Sequence, residues 1–251
     1  MAKALADRSQ SWSQVRKALR GAQKSNRNAP AYSRWLNRPL GGLLATSAFK
    51  LGLTPNQVTG ISAVFTFGGL ALLATTSPTW LHGLVVAALL ALGYALDSAD
   101  GQLARLRGGG SPAGEWLDHV IDATKQASLH LVVAVLWFRH LDGWPVWTVL
   151  VPLGFSVVAC VWFFTMILTD QLERAAGTKR AGAVAQQPHS SLLNSVIATG
   201  QDYGFQVVTM LLLGFWTGWR LLYTVLAVFN LLMLLAQLVR WYRRVDALPR
   251  P

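Results

Sequence analysis

The chain has 251 residues, of which 53% are hydrophobic and 13% are charged. Soluble domains carry about 25% charged residues, so this composition excludes an ordinary soluble protein and is typical of a membrane protein. The formal net charge is +11, but most basic residues lie between or outside apolar segments. That distribution favours anionic lipid headgroups over nucleic acid as their partner. A single cysteine, Cys160, excludes an intrachain disulfide.

The N-terminal part of the chain is polar and basic. Residues 1–30 are expected to form a mobile or weakly helical cytoplasmic arm on the membrane surface, and a solvated segment is favoured over a docked one. Residues 31–50 mix apolar and basic side chains, which predicts an amphipathic juxtamembrane helix on the membrane surface, bent near Pro39. The remainder is expected to form a six-helix transmembrane domain, residues 51–242, followed by a cytoplasmic tail, residues 243–251.

Six apolar segments predict an all-α, polytopic membrane fold with six transmembrane helices. Thr54-Pro55 and Ser111-Pro112 each combine a helix-capping residue with a first-turn proline, and therefore mark the starts of the first and third spans. The polar stretch 169–191 is expected to connect the fourth and fifth spans. The expected spans are 55–75, 80–107, 112–138, 145–168, 192–214 and 219–240.

The distribution of basic residues predicts the orientation of these spans. An even number of spans places both termini on one side, and that side holds 19 of the 22 Lys and Arg residues. Because basic loops stay inside, we expect both termini and the 105–111 turn in the cytoplasm, with the protein in the cell membrane. Six tryptophans at the opposite ends of the spans predict an outer aromatic belt: Trp80, Trp137, Trp144, Trp147, Trp216 and Trp219.

Four aspartates lie within residues 97–122, where the second and third apolar segments meet, although the whole chain has only 11 acidic residues. Carboxylates on membrane-length helices are energetically costly and usually functional. Asp97 and Asp100 are three residues apart and share a helix face, as do Asp118 and Asp122 at a spacing of four. Converging carboxylates repel one another, so the spacing predicts a site for hard divalent cations, Mg²⁺ or Mn²⁺.

Small residues and an arginine accompany the carboxylates. Gly101 and Ala104 lie on the second span and Gly114 on the third, so a bulky ligand can approach both helix backbones closely. Arg105 offers a planar set of donors that suits phosphate. Carboxylates for a metal, small residues for access and an arginine for an anion together predict a site for a phosphate ester.

Written out, the pattern is Asp97-x2-Asp100-Gly101-x2-Ala104-Arg105-x8-Gly114-x3-Asp118-x3-Asp122. It resembles, without departure, the signature of the CDP-alcohol phosphotransferase family of integral membrane enzymes. The signature covers 26 of the 251 residues, and the six-helix layout extends the resemblance over most of the chain. The resemblance implies transfer of a substituted phosphate from a CDP-alcohol donor to the hydroxyl of an alcohol acceptor, with release of CMP, in phospholipid biosynthesis.

The same resemblance implies a role for each motif residue. Two Mg²⁺ or Mn²⁺ ions would be held by Asp97, Asp100, Asp118 and Asp122. Asp122 would also act as general base on the acceptor hydroxyl. The CDP moiety would be contacted by Gly101, Ala104 and Arg105, and admitted by Gly114. Members of the family are often dimeric, which leaves a homodimer open.

The sequence leaves open which half of the reaction is the lipid. CDP-diacylglycerol is the common bacterial donor among family members, which favours a lipid donor and a polar acceptor. Residues 111–119 resemble the choline/ethanolamine phosphotransferase branch, where a histidine like His119 is a candidate base for a diacylglycerol hydroxyl. That context supplies the alternative, in which a CDP-linked headgroup is donated to a lipid alcohol, while the lipid donor stays favoured. An ion or proton transporter is disfavoured, because the carboxylates gather at one end of two helices.

Four other polar residues each have two interpretations. Lys125, three residues after Asp122, either neutralises a carboxylate or binds an acceptor phosphate. Asp202 either lines the acceptor pocket or closes a hydrogen bond between helices. Glu115 either supports the site or interacts with the helix dipole. Arg174 either meets a phosphorylated acceptor or is an ordinary loop charge.

Overall fold

The computed structural model describes residues 7–22, 30–178, 200 and 202–249. These residues form helices and no strands, which confirms the predicted all-α class. A π-helical segment, Ser33–Asn37, leads into the second helix, and 3₁₀ turns at Val146–Val149 and Met210–Leu212 flank two others. The α-helices are α1 Trp12–Ala22, α2 Arg38–Leu51, α3 Pro55–Thr75, α4 Trp80–Leu106, α5 Pro112–Arg139, α6 Leu150–Ala175, α7 Tyr203–Thr209 and α8 Trp216–Asp246.

Five helical segments in the described residues are long and apolar enough to cross a membrane: α3, α4, α5, Val146–Ala175 and α8. The first three predicted spans agree with α3, α4 and α5 to within one residue at each end. The predicted fifth span, 192–214, lies partly outside the described residues, and its described part contains the shorter apolar helix Tyr203–Leu212. The count of six spans therefore stays a prediction.

The helix that contains the predicted fourth span extends beyond the predicted end of that span. Helix α6 continues to Ala175, beyond the predicted end at residue 168. Arg174, expected in a polar connection, therefore lies on a helix, and its Nη2 is 2.6 Å from Asp170 Oδ2 one turn earlier. Pairs of opposite charge at this spacing stabilise a helix, which explains why the polar sequence does not end it.

The helix that contains the predicted sixth span is also longer than that span at both ends. Helix α8 begins at Trp216, inside the expected 215–218 turn, and runs to Asp246, inside the expected 243–251 tail. Its last turns pack beside the end of α6, where Arg244 Nε lies 3.5 Å from Glu173 Oε1. The charged ends of the two helices thus support one another beyond the apolar segments.

Part of the basic N-terminal arm is a docked helix and not the solvated segment that we expected. Val15 and Leu19 of α1 are buried, at 0% and 1% exposure, in a small core shared with α2 and α4. Lys50 Nζ donates to the carbonyl oxygens of Arg8, at 2.7 Å, and Gln10, which fixes the chain leading into α1. The two buried residues have helical spacing, but the basic residues around them obscure that pattern.

Helices α3 and α4 approach each other closely because small side chains line their contact. Ser62 Oγ donates to the carbonyl oxygen of Gly93 at 2.8 Å. A Cβ atom at Gly93 would lie 2.2 Å from Thr66 Oγ1, so a larger residue does not fit there without a shift of the helices. This contact fixes the half of α4 that carries Asp97 and Asp100.

The end of the bundle away from the motif contains a buried arginine surrounded by indole rings. Arg220 has no exposed surface, and its guanidinium carbon lies 4.3 Å from the ring centroid of Trp144 and 5.0 Å from that of Trp216. Trp137 is 5.8 Å away. Arg220 Nη1 also donates to the carbonyl oxygen of Leu141 at 2.8 Å. The arginine therefore ties the loop after α5 to the start of α8.

The predicted aromatic belt is correspondingly wrong for half of its members. Trp137 and Trp219 are fully buried, and Trp216 is only 8% exposed, because these rings pack inside the bundle with Arg220. Trp80 and Trp147, at 59% and 64% exposure, face outward as a belt requires. A tryptophan near the end of a span is equally compatible with both environments, so sequence position alone does not decide between them.

Candidate active site

The motif residues occupy the end of α4 and the start of α5, which a short turn joins. Ser111 caps α5, its Oγ accepting a backbone N–H three residues later at 3.0 Å. Gly108 and Gly109 have φ values of +100° and +140°, a conformation that glycine adopts without strain. Arg107 Nη2 donates to the carbonyl oxygen of Leu53 at 2.6 Å, which holds the turn against the α2–α3 connection.

The carboxylates predicted as metal ligands converge at this hairpin. Oxygen atoms of Asp97, Asp100 and Asp118 all lie within 4.8 Å of one another. A second group with the same spacing is formed by Asp118, His119 and Asp122. Hard carboxylate oxygens at these separations fit a divalent cation such as Mg²⁺ or Mn²⁺ in both number and chemistry.

A hydroxyl group from α3 holds the most buried of these carboxylates. Asp100 is 5% exposed, and Thr59 Oγ1 donates to its Oδ2 at 2.5 Å. Thr59 belongs to a stripe of buried hydroxyl residues on α3 with Ser62 and Thr66. Sequence reasoning missed Thr59, although hydroxyl side chains at helical spacing within an apolar span were a signal that could have found it.

A lysine ammonium group lies among the carboxylates. Lys125 Nζ is 2.6 Å from Asp122 Oδ1 and also pairs with Asp97 Oδ1. The residue is only 6% exposed, so its two ion pairs join α4 to α5 in the interior of the bundle. Of the two interpretations for Lys125, the structure contains the neutralising contact, and the contact with an acceptor phosphate stays a prediction.

A cavity of about 220 Å³ opens beside these carboxylates. Two arginines face it, Arg105 from the motif and Arg38 from the first turn of α2. A Cβ atom at Gly101 would meet only Arg105 Nη1, at 3.5 Å, so the glycine leaves the cavity open. Arg105 Nε is buried and has no hydrogen-bond partner among the described residues. The lining is Arg38, Asp97, Ser98, Asp100, Gly101, Gln102, Arg105 and Asp118.

Arg38 is a candidate site residue that sequence reasoning missed, because it lies far from the motif on the expected surface helix. Burial lowers the pKa of the Arg38 guanidinium from its usual value, yet arginine stays charged at physiological pH. Gln102 Nε2 donates to the carbonyl oxygen of Arg38 at 3.2 Å, which ties α2 to α4. Ala104 and Gly114, both predicted to adjoin the nucleotide, are not part of the cavity lining.

A larger cavity of about 350 Å³ also borders Asp97, the one residue in the described part of the chain that lines both cavities. Asp122 and Lys125 form its charged part. One wall consists of apolar and aromatic side chains of α6, including Trp162 and Phe163. The remaining wall is polar and contains Tyr94, Gln126, Asp202, Tyr203, Gln206 and Asn230. The cavity therefore offers both hydrogen-bonding groups and apolar surface next to the carboxylates.

Asp202 lines a cavity and also forms hydrogen bonds between segments, so the described residues contain features of both interpretations considered for it. Its carboxylate lines the larger cavity and accepts a hydrogen bond from Tyr94 Oη of α4 at 3.2 Å. It also accepts the backbone N–H groups of Ser33, at 3.3 Å, and Gly204, at 3.1 Å. Asp202 thus closes a contact between α4, α7 and the segment before α2, and the identity of the cavity's ligand stays a prediction.

Glu115 and His119 lie together at the start of α5. Glu115 Oε1 is 2.7 Å from Arg174 Nη1 on α6 and 3.8 Å from His119 Nε2. The His119 ring also meets Phe163, a residue of the larger cavity, edge to face at 6.3 Å between centroids. Arg174 is therefore not a free loop charge, since it holds the acidic partner of His119.

Comparison with known proteins decides the family. The sequence profile of the CDP-alcohol phosphatidyltransferase family matches residues 52–236. The chain belongs to this family. The resemblance carried by the motif is thereby confirmed, and membership argues against an ion or proton transporter. Together with the five apolar helices, it identifies an integral membrane protein.

Relatives of this chain include two named synthases. The phosphatidylinositol phosphate synthase of Corynebacterium glutamicum is 30% identical over 156 residues, which are 61% of this chain and 66% of that protein. The archaetidylinositol phosphate synthase of Pyrococcus horikoshii is 37% identical over 86 residues, 34% of this chain and 43% of that protein. The chain thus matches less than two thirds of the length of either relative.

Among solved structures, a similar one is the crystal structure of Mycobacterium tuberculosis phosphatidylinositol phosphate synthase with CDP-DAG bound. It is 21% identical in sequence and has a TM-score of 0.48. The alignment covers 85% of this chain and 95% of that chain.

Proposed function

We propose that this protein transfers a substituted phosphate group from a CDP-alcohol to the hydroxyl of an acceptor alcohol and releases CMP, in phospholipid biosynthesis. The observation that carries the proposal is that Asp97, in a group of converging carboxylates, borders two separate cavities. A transfer reaction requires two substrates to meet at one reacting centre, and a shared wall between two binding spaces provides that arrangement.

The smaller cavity suits the diphosphate of the donor. Divalent ions held by Asp97, Asp100, Asp118 and Asp122 would neutralise the diphosphate and the charge that develops during transfer. Arg38 and Arg105 line the same cavity and present planar donors to phosphate oxygens. The room above Gly101 lets a nucleotide approach the α4 backbone.

The larger cavity suits the acceptor, and Asp122 is the favoured general base. Asp122 lines this cavity directly, so its carboxylate can accept the proton of a hydroxyl group bound there. His119 is not part of the lining and meets the cavity through Phe163. His119 therefore ranks second as a base.

CDP-diacylglycerol is the favoured donor, with a polar alcohol as acceptor. Both relatives are named as synthases of inositol phosphate lipids, which supports a lipid group on the donor. One observation favours the reverse arrangement, in which a CDP-linked headgroup is donated to a lipid alcohol. The larger cavity has an apolar wall from α6, including Trp162 and Phe163, and such a wall suits an acyl chain.

We further propose that the active site and both termini face the cytoplasm. The excess of Lys and Arg on that side supports this orientation. It would give the site access to a water-soluble nucleotide, while the adjoining apolar helices contact the lipid half of the substrates.

The test is CMP release by detergent-purified protein in Mg²⁺ or Mn²⁺, with CDP-diacylglycerol and CDP-headgroup donors run in parallel against a panel of acceptors. Turnover with CDP-diacylglycerol would support the favoured direction, and the productive acceptor would name the reaction. Turnover with a CDP-headgroup and a lipid alcohol alone would reverse the halves and make His119 the leading base. Removal of the metal by EDTA should stop turnover in either case.

A further inference from the structure

Lys125 places a cation where the proposed reaction requires metal ions. Its ammonium group pairs with Asp97 on α4 and with Asp122 on α5. Asp97 also has a carboxylate oxygen within 4.8 Å of ligand atoms on Asp100 and Asp118. The same carboxylate therefore faces both the lysine and the group of metal-ligand candidates. A carboxylate oxygen that accepts an ammonium hydrogen bond is less available to a metal.

We infer that Lys125 is a resident counter-ion that competes with the divalent metal for Asp97 and Asp122. The inference rests on the metal site of the proposed function, and it assigns control of metal affinity to one side chain. Carboxylates from two helices repel each other when they are buried without a cation, and the ammonium offsets that repulsion. A divalent ion on the same oxygens would remove the need for the ammonium and repel it.

Lys125 has a second environment within reach. It already forms part of the wall of the larger cavity, together with Tyr94, Gln126 and Asp202. The lysine side chain is a flexible four-carbon stem, so its ammonium can turn between the carboxylates and the cavity without movement of α5. Loss of the carboxylate pairing would therefore leave a positive charge facing the proposed acceptor space, which couples metal binding to binding of the second substrate.

A purely structural lysine predicts the opposite effect on metal affinity. If Lys125 only held Asp97 and Asp122 in place for the ion, its removal would weaken metal binding. If it competes with the ion, its removal would tighten metal binding and destabilise the metal-free protein. The sign of the change in Mn²⁺ affinity thus separates the two roles, and it does not depend on turnover.

The experiment measures Mn²⁺ binding to the full chain in detergent from the loss of the electron paramagnetic resonance signal of free Mn²⁺. We expect Lys125→Met to bind Mn²⁺ about tenfold more tightly than the wild type. Lys17→Met, the same change at an exposed position of α1, should leave the affinity unchanged. The melting temperature of Lys125→Met should be lower than that of the wild type without metal, and should rise more when Mn²⁺ is added. Equal or weaker Mn²⁺ binding by Lys125→Met would overturn the inference.

Two further variants keep the test decisive. Lys125→Arg retains a cation and should bind Mn²⁺ within about threefold of the wild type. Tightening as large as that of the methionine variant would show that charge is not the cause. If Lys125→Met does not fold, Lys125→Gln removes the charge while keeping a hydrogen-bond donor, and it should also tighten binding.

Failure of the inference and failure of the proposed function give different results. A wild-type protein that binds Mn²⁺ but releases no CMP would contradict the proposed reaction and leave the competition intact. CMP release in Mn²⁺ with unchanged affinity in Lys125→Met would support the reaction and overturn the competition. Absence of Mn²⁺ binding in every variant would overturn the competition and the proposed metal site together.

Discussion

The two ends of the helical bundle each bury a cation, but they surround it with different partners. At the motif end, Lys125 meets the carboxylates of Asp97 and Asp122 beside two cavities. At the other end, Arg220 meets three indole rings and the carbonyl oxygen of Leu141. Indole rings and backbone carbonyls that surround an arginine stabilise the fold. Carboxylates that surround a lysine can also coordinate a metal ion.

This difference separates residues that perform chemistry from residues that hold the fold together. Changes at the motif end should alter turnover and metal binding in a protein that still folds. Changes at the tryptophan-rich end should lower stability while each folded molecule keeps its activity. Four predictions, in decreasing order of expected effect, test that division.

The largest effect is expected from removing one negative charge from the motif. Asp97→Asn, Asp100→Asn, Asp118→Asn and Asp122→Asn should each lower the rate of CMP release about a hundredfold or more, because charge neutralisation on the diphosphate depends on them. Size-exclusion profiles and melting temperatures would confirm that the variants fold. Full activity in any two of them would contradict the assignment of the four carboxylates.

A loss of stability without loss of chemistry is expected from Arg220→Leu. The variant loses contacts with three indole rings and the hydrogen bond to Leu141, and should be destabilised by about 3 kcal/mol. Thermal unfolding in detergent measures the change, and CMP release per folded molecule should stay at the wild-type level. Trp147→Leu is the matched control, because Trp147 is 64% exposed and should have little effect. A folded Arg220→Leu protein without activity would contradict the division between the two ends.

A smaller effect, on donor binding, is expected from Arg38→Gln. Arg38 lines the smaller cavity outside the motif, so its loss should raise the KM for the CDP-alcohol about tenfold with little change in kcat. Steady-state kinetics with a varied donor concentration measure both constants. Arg34→Gln, at an exposed position one turn earlier, should leave them unchanged. Identical kinetics for the two variants would remove Arg38 from the site.

The smallest effect is expected from Arg139→Gln at the end of α5 away from the motif. Arg139 Nη1 donates to the carbonyl oxygen of Ala74, and neither residue borders a cavity described above. Turnover should be nearly unchanged when CMP release is measured on the folded protein. A large loss of turnover would place the active site nearer to this end of the bundle than we propose.

Sequence reasoning predicted the features that depend on local periodicity. The caps at Thr54 and Ser111 and the apolar lengths of α3, α4 and α5 are encoded within each segment. The convergence of the motif carboxylates was also predictable from local sequence, because helical spacing and a short turn bring Asp97 and Asp118 together.

Features that depend on packing between distant segments were not predicted. Arg38 lies 59 positions before Asp97, and only the contact between α2 and α4 brings it to the cavity. Val15 and Leu19 are buried because α2 and α4 present an apolar surface to α1. The local sequence of α1 does not show that this surface exists. The environment of Trp137 likewise depends on Arg220 of α8, far along the chain.

The contact between α2 and α4 at Gly41 has a consequence for the evolution of substrate choice. A Cβ atom at Gly41 would lie 2.8 Å from both Gln102 Nε2 and Ser98 Oγ, and Ser98 lines the smaller cavity. The clearance is thus smaller than a methyl group, and Arg38 stands one turn earlier on the same helix. A single small-to-large replacement at this uncharged position would move one wall of the smaller cavity, which we propose holds the donor. It would then change the range of donors that fit while every motif residue stays the same.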